Sequence, residues 1–314
     1  MADGKWIKDL TVDIPIDEAA RKVFSVRLEV VRDCLPLAAH FPHDDVEHVH
    51  QLRVGTRRAN ASLNIFSLCL PHKRLRAQKK LLRRLRRAAG DARDWDVFLI
   101  ALQTWSEKRA AIEKPGLNFL RGYAFSRRES AQAGLHEVGG IKLEISELLE
   151  SVRPPQGDDS AMLFGNLALS TLTGLIGDLQ EAIAADTGDY EHLHQIRIVG
   201  KRLRYAMEIF ADCFAPPFRE EMYPAIEDMQ DILGSANDSH VARQRLTELR
   251  DQVKSTRPQD WPVLRPGIER WLQSHRQKLL SERRRFRKWC VRWKETALPL
   301  DDLLCSPAPA SESA

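Results

Sequence analysis

The chain has 314 residues, 43% hydrophobic and 29% charged, which is enough for one large or two medium domains with a proper core. No apolar run approaches the roughly 18 residues of a membrane span, and the start MADGKWIKDL lacks a signal-like apolar segment, so a cytoplasmic protein is expected. Five cysteines without a C-x-x-C pair argue against a disulfide framework and against a thiolate zinc site.

Helical periodicity runs through nearly the whole chain, whereas alternating strand patterns are scarce. The helices predicted for the first half span residues 17–40, 45–70, 73–89, 94–111 and 117–150. Those predicted for the second half span residues 161–185, 190–214, 218–233, 238–253 and 265–297.

The breaks between these helices predict the domain organisation. Two prolines and a glycine make 153–160 a linker between a first helical repeat, 15–152, and a second one, 161–297. Residues 1–14 are an N-terminal extension, and the composition of SPAPASESA predicts a disordered tail at 298–314.

The second half repeats the first at a constant offset of 144 residues. The segment HVHQLRVGTRR at 48–58 corresponds to HLHQIRIVGKR at 192–202, and GDARDWDV at 90–97 corresponds to GSANDSHV at 234–241. An ungapped correspondence of this length favours duplication of a helical unit. We therefore predict an all-α fold of two helical-bundle repeats related by pseudo-two-fold symmetry.

The helix that carries the repeated motif has an apolar face. Asp44 and Glu47 have capping-box spacing, so this helix is expected to begin near Asp45. The apolar positions, spaced three and four apart, are Val49, Leu52, Thr56, Ala59, Leu63 and Phe66, and in the second copy Leu193, Ile196, Gly200, Leu203, Met207 and Phe210. Such faces are expected to pack in a bundle core.

The same helix has a separate basic face. Its residues are His50, Arg53, Arg57 and Arg58 in the first copy, and His194, Arg197, Lys201, Arg202 and Arg204 in the second. Guanidinium groups offer phosphate oxygens a planar pair of donors, and a polyanion would raise the pKa of a nearby histidine. A charge run is usually a solvated helix face, but repetition in the same register favours a polyanion-binding surface.

Charge is unevenly distributed although the formal net charge is only +4. From His48 to Gly90 there are twelve Lys or Arg and no Asp or Glu, which predicts an anionic partner. The third helix adds the ladder Arg76, Lys80, Arg83 and Arg87, and the last helix adds Arg283, Arg284, Arg287 and Lys288. The corresponding segment of the second half, FREEMYPAIEDMQD, is acidic, so the first half is expected to carry more of the ligand.

A metal site and a catalytic site fit the pattern less well than a polyanion-binding surface does. His48 and His50 lie roughly 200° apart on a helix, so a metal site would need ligands from other helices. The carboxylates Asp94 and Asp238 are expected to cap helices that follow a glycine, and without a nucleophile elbow or P-loop neither catalysis nor a cofactor is expected.

Nucleic acid remains the main alternative ligand, because basic helices attract any polyphosphate backbone. The seven tryptophans are not interleaved with the basic ladders of the second and third helices, so there is little support for platforms on which bases could stack. A metal-binding protein or a phosphohydrolase fits the pattern less well than nucleic-acid binding.

At these residues the chain resembles a known family. H-x-x-R-x-x-x-R-R at 50–58, followed by LRRAAGDARDWDV, is similar to the motifs of the CHAD family, the conserved-histidine α-helical domains. HQIRIVGKRLRYAMEIF, followed by LGSANDSHV, is similar to the second repeat of that family, and the resemblance covers about residues 15–297.

The resemblance implies two helical-bundle repeats with a basic central cleft or pore that binds inorganic polyphosphate. It further implies a location on polyphosphate granules and contact with granule proteins. By motif position, it assigns the ligand to His50, Arg53, Arg57, Arg58, His194, Arg197, Lys201 and Arg202. Since no triphosphatase-type domain precedes the motif, a stand-alone and non-catalytic module is expected.

Overall fold

The computed structural model describes residues 5–156, 162–185 and 190–305, and these ranges contain helices and two isolated β-bridges but no strand. The α-helices in chain order are α1 Ile16–His40, α2 Glu47–Ile65, α3 His72–Ser106, α4 Lys114–Gly139, α5 Ile145–Glu150, α6 Phe164–Ala184, α7 Tyr190–Phe210, α8 Tyr223–Thr256 and α9 Trp261–Thr296. The expected all-α fold is confirmed. None of the described helices is long and apolar enough to cross a membrane.

The two motif helices, α2 and α7, bury the apolar faces predicted for them. Every predicted position of both faces is buried, from Val49 to Phe66 in the first copy and from Leu193 to Phe210 in the second. α2 begins at Glu47, two residues later than expected, and the backbone N–H of Glu47 donates to the Asp45 carboxylate at 2.8 Å.

Neighbouring helices pack in the same order in both halves of the chain. In the first half α1 packs on α2, α2 on α3 and α3 on α4, and in the second α6 packs on α7, α7 on α8 and α8 on α9. α2 also packs directly against α7. This order is what a duplicated unit would give, and the pseudo-two-fold relation between the halves stays a prediction.

Buried apolar side chains of the described residues form two clusters. The larger one holds α1, α2, α6 and α7 together with one end of each long helix. The smaller one, around Phe98, Leu246 and Trp271, lies between the other ends of α3, α4, α8 and α9. Because α2 and α7 belong wholly to the larger cluster, their polar faces are held in fixed positions.

Helix boundaries near glycine differ from the sequence prediction. α3 and α8 run without interruption through Gly90 and Gly234, where breaks were expected. A glycine within a helix costs only about 1 kcal/mol, which packing on both sides of it outweighs. The single helix expected at 117–150 is instead divided, because α4 ends at the Gly139–Gly140 pair and α5 begins at Ile145.

Both chain ends contribute more to the fold than predicted. In the N-terminal extension Ile7 and Leu10 are buried. The disordered tail predicted for 298–314 is wrong for 298–305, because Leu300 and Leu303 are buried and Cys305 N–H donates to the Cys213 carbonyl at 2.9 Å. Residues 306–314 lie outside the described part, as do residues 157–160 of the predicted linker.

The crossing of α4 and α9 gives a direct test of packing. A Cβ at Gly116 would collide with the Leu264 carbonyl oxygen, whereas a Cβ at Gly122, on the same helix, meets no described atom within 4 Å. Gly116→Ala should therefore lower the free energy of unfolding by about 1–3 kcal/mol. Gly122→Ala should raise it by about 0.5–1 kcal/mol. Denaturant titration compares the two variants, and equal stabilities would contradict the close crossing.

Candidate functional site

The basic faces of the repeated motif meet where α2 packs against α7. Arg53 and Arg57 come from α2, and Arg197 and Lys201 come from the equivalent positions of α7. They lie close enough that mutual charge repulsion adds to burial in lowering the pKa of Arg57, Arg197 and Lys201. The structure therefore brings together four cations that are separated by up to 148 positions in the sequence.

Burial makes this cation cluster costly in the unliganded protein. Burial, followed by repulsion from Arg57 and Arg197, lowers the pKa of Lys201 to about 5. Burial, followed by repulsion from Arg53, lowers the pKa of Arg57 to about 10. Each lowered pKa means that the charged form is less stable here than in water, and a nearby anion would reverse this.

Two aspartates within long helices act on the arginines of the cation cluster. Arg53 Nη1 donates to the Asp94 carboxylate and to the Gly90 carbonyl oxygen, and Asp238 opposes the lowering of the Arg197 pKa by burial. The predicted role of Asp94 and Asp238 as helix caps is wrong, because α3 and α8 do not start there. Asp94 instead holds Arg53 in place, and Asp238 attracts Arg197 electrostatically.

A cavity of about 600 Å³ opens beside the cation cluster, between α2, α6 and α7. Its charged lining residues are Arg57, Arg86, Asp178, Arg197, Lys201 and Arg202. Tyr205 also lines it and interacts with Arg57, although the sequence pattern did not single out Tyr205 or Arg86. Tyr205 lies one helical turn after Lys201, in the K-R-L-R-Y string, which is the signal that could have identified it.

The two motif histidines lie farther toward the helix starts, outside the cavity. His50 is half-buried, and burial followed by repulsion from Arg93 lowers its pKa. His194 lies beside Tyr190, which stacks on His240 with ring centroids 3.4 Å apart. The Nδ1 atom of His194 is buried and has no hydrogen-bond partner among the described residues.

Arg58 differs from the rest of the predicted set. It is buried, and its Nε and Nη2 donate to the two Glu208 carboxylate oxygens at 2.6 and 3.0 Å. A guanidinium held in this way cannot reach a ligand in the cavity, so the structure corrects the prediction that Arg58 belongs to the binding face. Its counterpart Arg202 is exposed, lines the cavity and lies 3.7 Å from the carboxylate of Asp178.

The other predicted basic residues are not gathered at the cavity. Arg76, Lys80, Arg83 and Arg87 are exposed along α3, and Arg86 is the α3 residue that reaches the lining. Arg283 is half-buried and Arg284, Arg287 and Lys288 are exposed on α9, with Lys288 lining a separate groove next to Asp228. The described ranges contain no group of three His, Cys, Asp or Glu arranged to hold a metal ion.

Lys201 should make the stability of the unliganded protein depend on pH. The unfolded chain keeps this proton up to a pKa near 10.5 and the folded chain only to about 5, so between these values the unfolded state binds more protons. The free energy of unfolding therefore falls as the pH is lowered through this window. Lys201→Met should remove the effect and add about 1–3 kcal/mol near neutral pH.

Denaturant titrations at a series of pH values would measure this gain. Arg202→Met is the matched control, because that side chain is 60% exposed, and a change within about 0.5 kcal/mol is expected at every pH. A gain for Lys201→Met that does not grow as the pH falls would contradict the buried position of the ammonium group.

Comparison with known proteins places this site in a family context. The CHAD domain family model matches residues 27–247. The fold is similar to the crystal structure of the CHAD domain from the plant Ricinus communis, with 21% identity, coverage of 91% of this chain and 94% of that chain, and a TM-score of 0.69. It is also similar to PptA from Streptomyces chartreusis, with 16% identity, coverage of 88% and 100%, and a TM-score of 0.58. No curated protein sequence matches this chain.

Proposed function

This chain belongs to the CHAD domain family, and from that premise we propose that it binds inorganic polyphosphate without reacting with it. The polyanion would lie against Arg53, Arg57, Arg197 and Lys201. One observation carries the proposal: Arg57, Arg197 and Lys201 lie half-buried around one cavity, where burial and mutual repulsion lower the pKa of each. A bound polyanion would offset the free-energy cost of keeping these charged groups together, and this would favour binding.

The chemistry of the cluster suits a polyphosphate chain. Each phosphate unit carries a negative charge but no nucleobase, so guanidinium and ammonium groups suffice to hold it. Asp94 keeps Arg53 oriented before the ligand arrives, which reduces the entropy lost on binding. His50 and His194 would add donors at the far end of the cluster.

The residues around the cavity support binding rather than reaction. Hydrolysis of a phosphoanhydride needs a positioned base or a metal-bound water. Among the carboxylates near the cluster, Asp94 accepts from Arg53, and Asp178 lies beside Arg202. We therefore propose that the protein is a receptor for polyphosphate rather than an enzyme. We further propose that it resides on polyphosphate granules in the cytoplasm and contacts other granule proteins there.

A comparative titration tests this function. Long-chain polyphosphate and single-stranded RNA or DNA, matched in total charge, are titrated into the protein at several salt concentrations. We expect polyphosphate to bind at least about tenfold tighter at physiological salt, and about four ion pairs predict a log–log salt slope near −3. Binding should also strengthen as the pH falls, because Lys201 and His50 take up protons with the ligand.

Two outcomes would contradict the proposal. Equal affinity for the nucleic acid would indicate a nucleic-acid-binding protein, in which any phosphate backbone suffices. Shortening of the polyphosphate or release of orthophosphate, with or without added divalent metal, would indicate an enzyme.

A further inference from the structure

The cavity beside the cation cluster is lined by two unlike kinds of residue. One kind is cationic and includes Arg57, Arg197 and Lys201. The other kind is apolar and consists of Ala61, Ile65, Gly174, Leu175, Ile198 and Ala206, which together are called the apolar half. Inorganic polyphosphate has no apolar part, so the proposed function leaves this apolar half without a role. Ile198 is 41% exposed and lines the cavity, so its apolar side chain is accessible to a ligand there.

Uncharged hydrogen-bonding groups also line the cavity. Asn60 and Asn64 project from α2 one turn apart, and Ser170 and Thr171 come from α6. These groups can both donate and accept, and they match hydroxyls and heterocyclic edges as well as phosphate oxygens.

Asp178 is the lining residue that fits inorganic polyphosphate least. An ionised carboxylate only accepts hydrogen bonds, and it repels phosphate. Its closest basic neighbour, Arg202 Nη1, lies 3.7 Å from Oδ2, which is longer than a hydrogen bond. The carboxylate is therefore able to accept from the hydroxyl or amino group of a ligand.

The size of the cavity fits a small molecule rather than a single phosphate. Its volume of about 600 Å³ lies within the usual range for sites that enclose a ligand of drug or nucleotide size. Gly174 widens the apolar half, because a Cβ at this position would meet no described atom within 4 Å.

We propose that this cavity binds a nucleoside triphosphate. The triphosphate lies on Arg57, Arg197 and Lys201, the base lies against Ile65, Leu175 and Ile198, and Asp178 accepts from a ribose hydroxyl. The phosphate half of this inference rests on the proposed function, because both ligands use the same cations. The nucleoside half rests on the apolar wall and on Asp178, which inorganic polyphosphate does not need.

ATP and inorganic tripolyphosphate separate the two halves of the cavity, because they share a triphosphate and differ in the nucleoside. Calorimetric titrations without divalent metal would be made on the wild type, on Gly174→Leu and on Gly177→Leu. Gly174→Leu places a side chain in the apolar half without changing any charge. Gly177→Leu is the matched control, since this residue lies on the same helix, is exposed and does not belong to the cavity lining.

We expect ATP to bind the wild type about tenfold tighter than tripolyphosphate, because the base removes apolar surface from water. Gly174→Leu should abolish this difference and leave tripolyphosphate affinity within about twofold, while Gly177→Leu should change neither. ATP binding no tighter than tripolyphosphate would overturn the inference. So would a Gly174→Leu variant that retains the preference or weakens both ligands equally.

Long-chain polyphosphate, titrated in parallel, keeps this failure distinct from failure of the proposed function. Binding of long chains without a preference for ATP over tripolyphosphate would overturn only the nucleoside site. Loss of both would overturn the polyphosphate proposal as well.

Discussion

Replacing Glu208 by alanine should lower the free energy of unfolding by about 3–5 kcal/mol, the usual cost of leaving a buried charge uncompensated. Glu208 is fully buried and accepts from Arg58 at 2.6 and 3.0 Å and from the Tyr223 hydroxyl at 3.0 Å. Arg27, also buried, lies 3.6 Å from the same carboxylate. Without Glu208 two guanidinium groups remain in the core with their main counter-charge removed.

Denaturant titration measures this loss, and two further variants define its cause. Asp178→Ala removes the partner of an exposed arginine and should change stability by no more than about 0.5 kcal/mol. A double-mutant cycle of Arg58→Ala and Glu208→Ala should give a coupling energy of at least about 2 kcal/mol. Additive effects would show that the two side chains do not form the pair described, and that Arg58 is available to a ligand.

The double variant Arg57→Gln with Lys201→Gln should lower polyphosphate affinity by at least about 100-fold, since each charged contact contributes about 1.5–3 kcal/mol. Both side chains line the cavity, and repulsion from Arg57 contributes to the lowered pKa of Lys201. Removing both charges should leave folding intact or strengthen it, because the repulsion disappears with them. Arg53 is less suitable for this test, since it is paired with Asp94 and its loss leaves that carboxylate unpaired.

Arg284→Gln with Lys288→Gln is the matched control, because it removes the same charge from exposed positions on α9. We expect less than about a threefold loss of affinity, as exposed charges act at a distance through screening solvent. Titration of both double variants at equal salt makes the comparison, with helicity checked by circular dichroism. Equal losses would mean that binding follows net charge, and the cluster between α2 and α7 would no longer be the site.

Arg57 belongs to the cation cluster and Arg58 to the buried ion pair, although the two are neighbours in one motif. Sequence analysis could not distinguish their environments. Arg57 and Arg58 are adjacent, so they point about 100° apart on α2. Arg57 reaches the cavity, whereas Arg58 meets Glu208, 150 positions away. The position of the first half that corresponds to Glu208, 144 residues earlier, holds the uncharged Asn64, and Arg202 is exposed. The motif alone cannot distinguish these two roles.

The positions of the helix ends also could not be predicted from local sequence signals alone. Gly90 and Gly234 carry a local signal for a helix end, and packing against neighbouring helices outweighs it. The composition of the last segment predicts disorder, yet Leu300 and Leu303 are buried against the core. Local signals are weak in free energy compared with tertiary burial, so they decide the outcome only where the surroundings do not compete.

Periodicity and repetition by themselves determined the helical class and the two faces of α2 and α7, because a helical period and a residue register are local properties of the chain. The family followed from the resemblance of the two motifs to those of known members. Tertiary structure alone decided which cations converge, that Asp94 orients Arg53, and that Arg86, Tyr205 and apolar residues of α2, α6 and α7 complete the cavity. These features depend on contacts between residues far apart in sequence. Such contacts form only when the helices pack, and packing is set by the core as a whole.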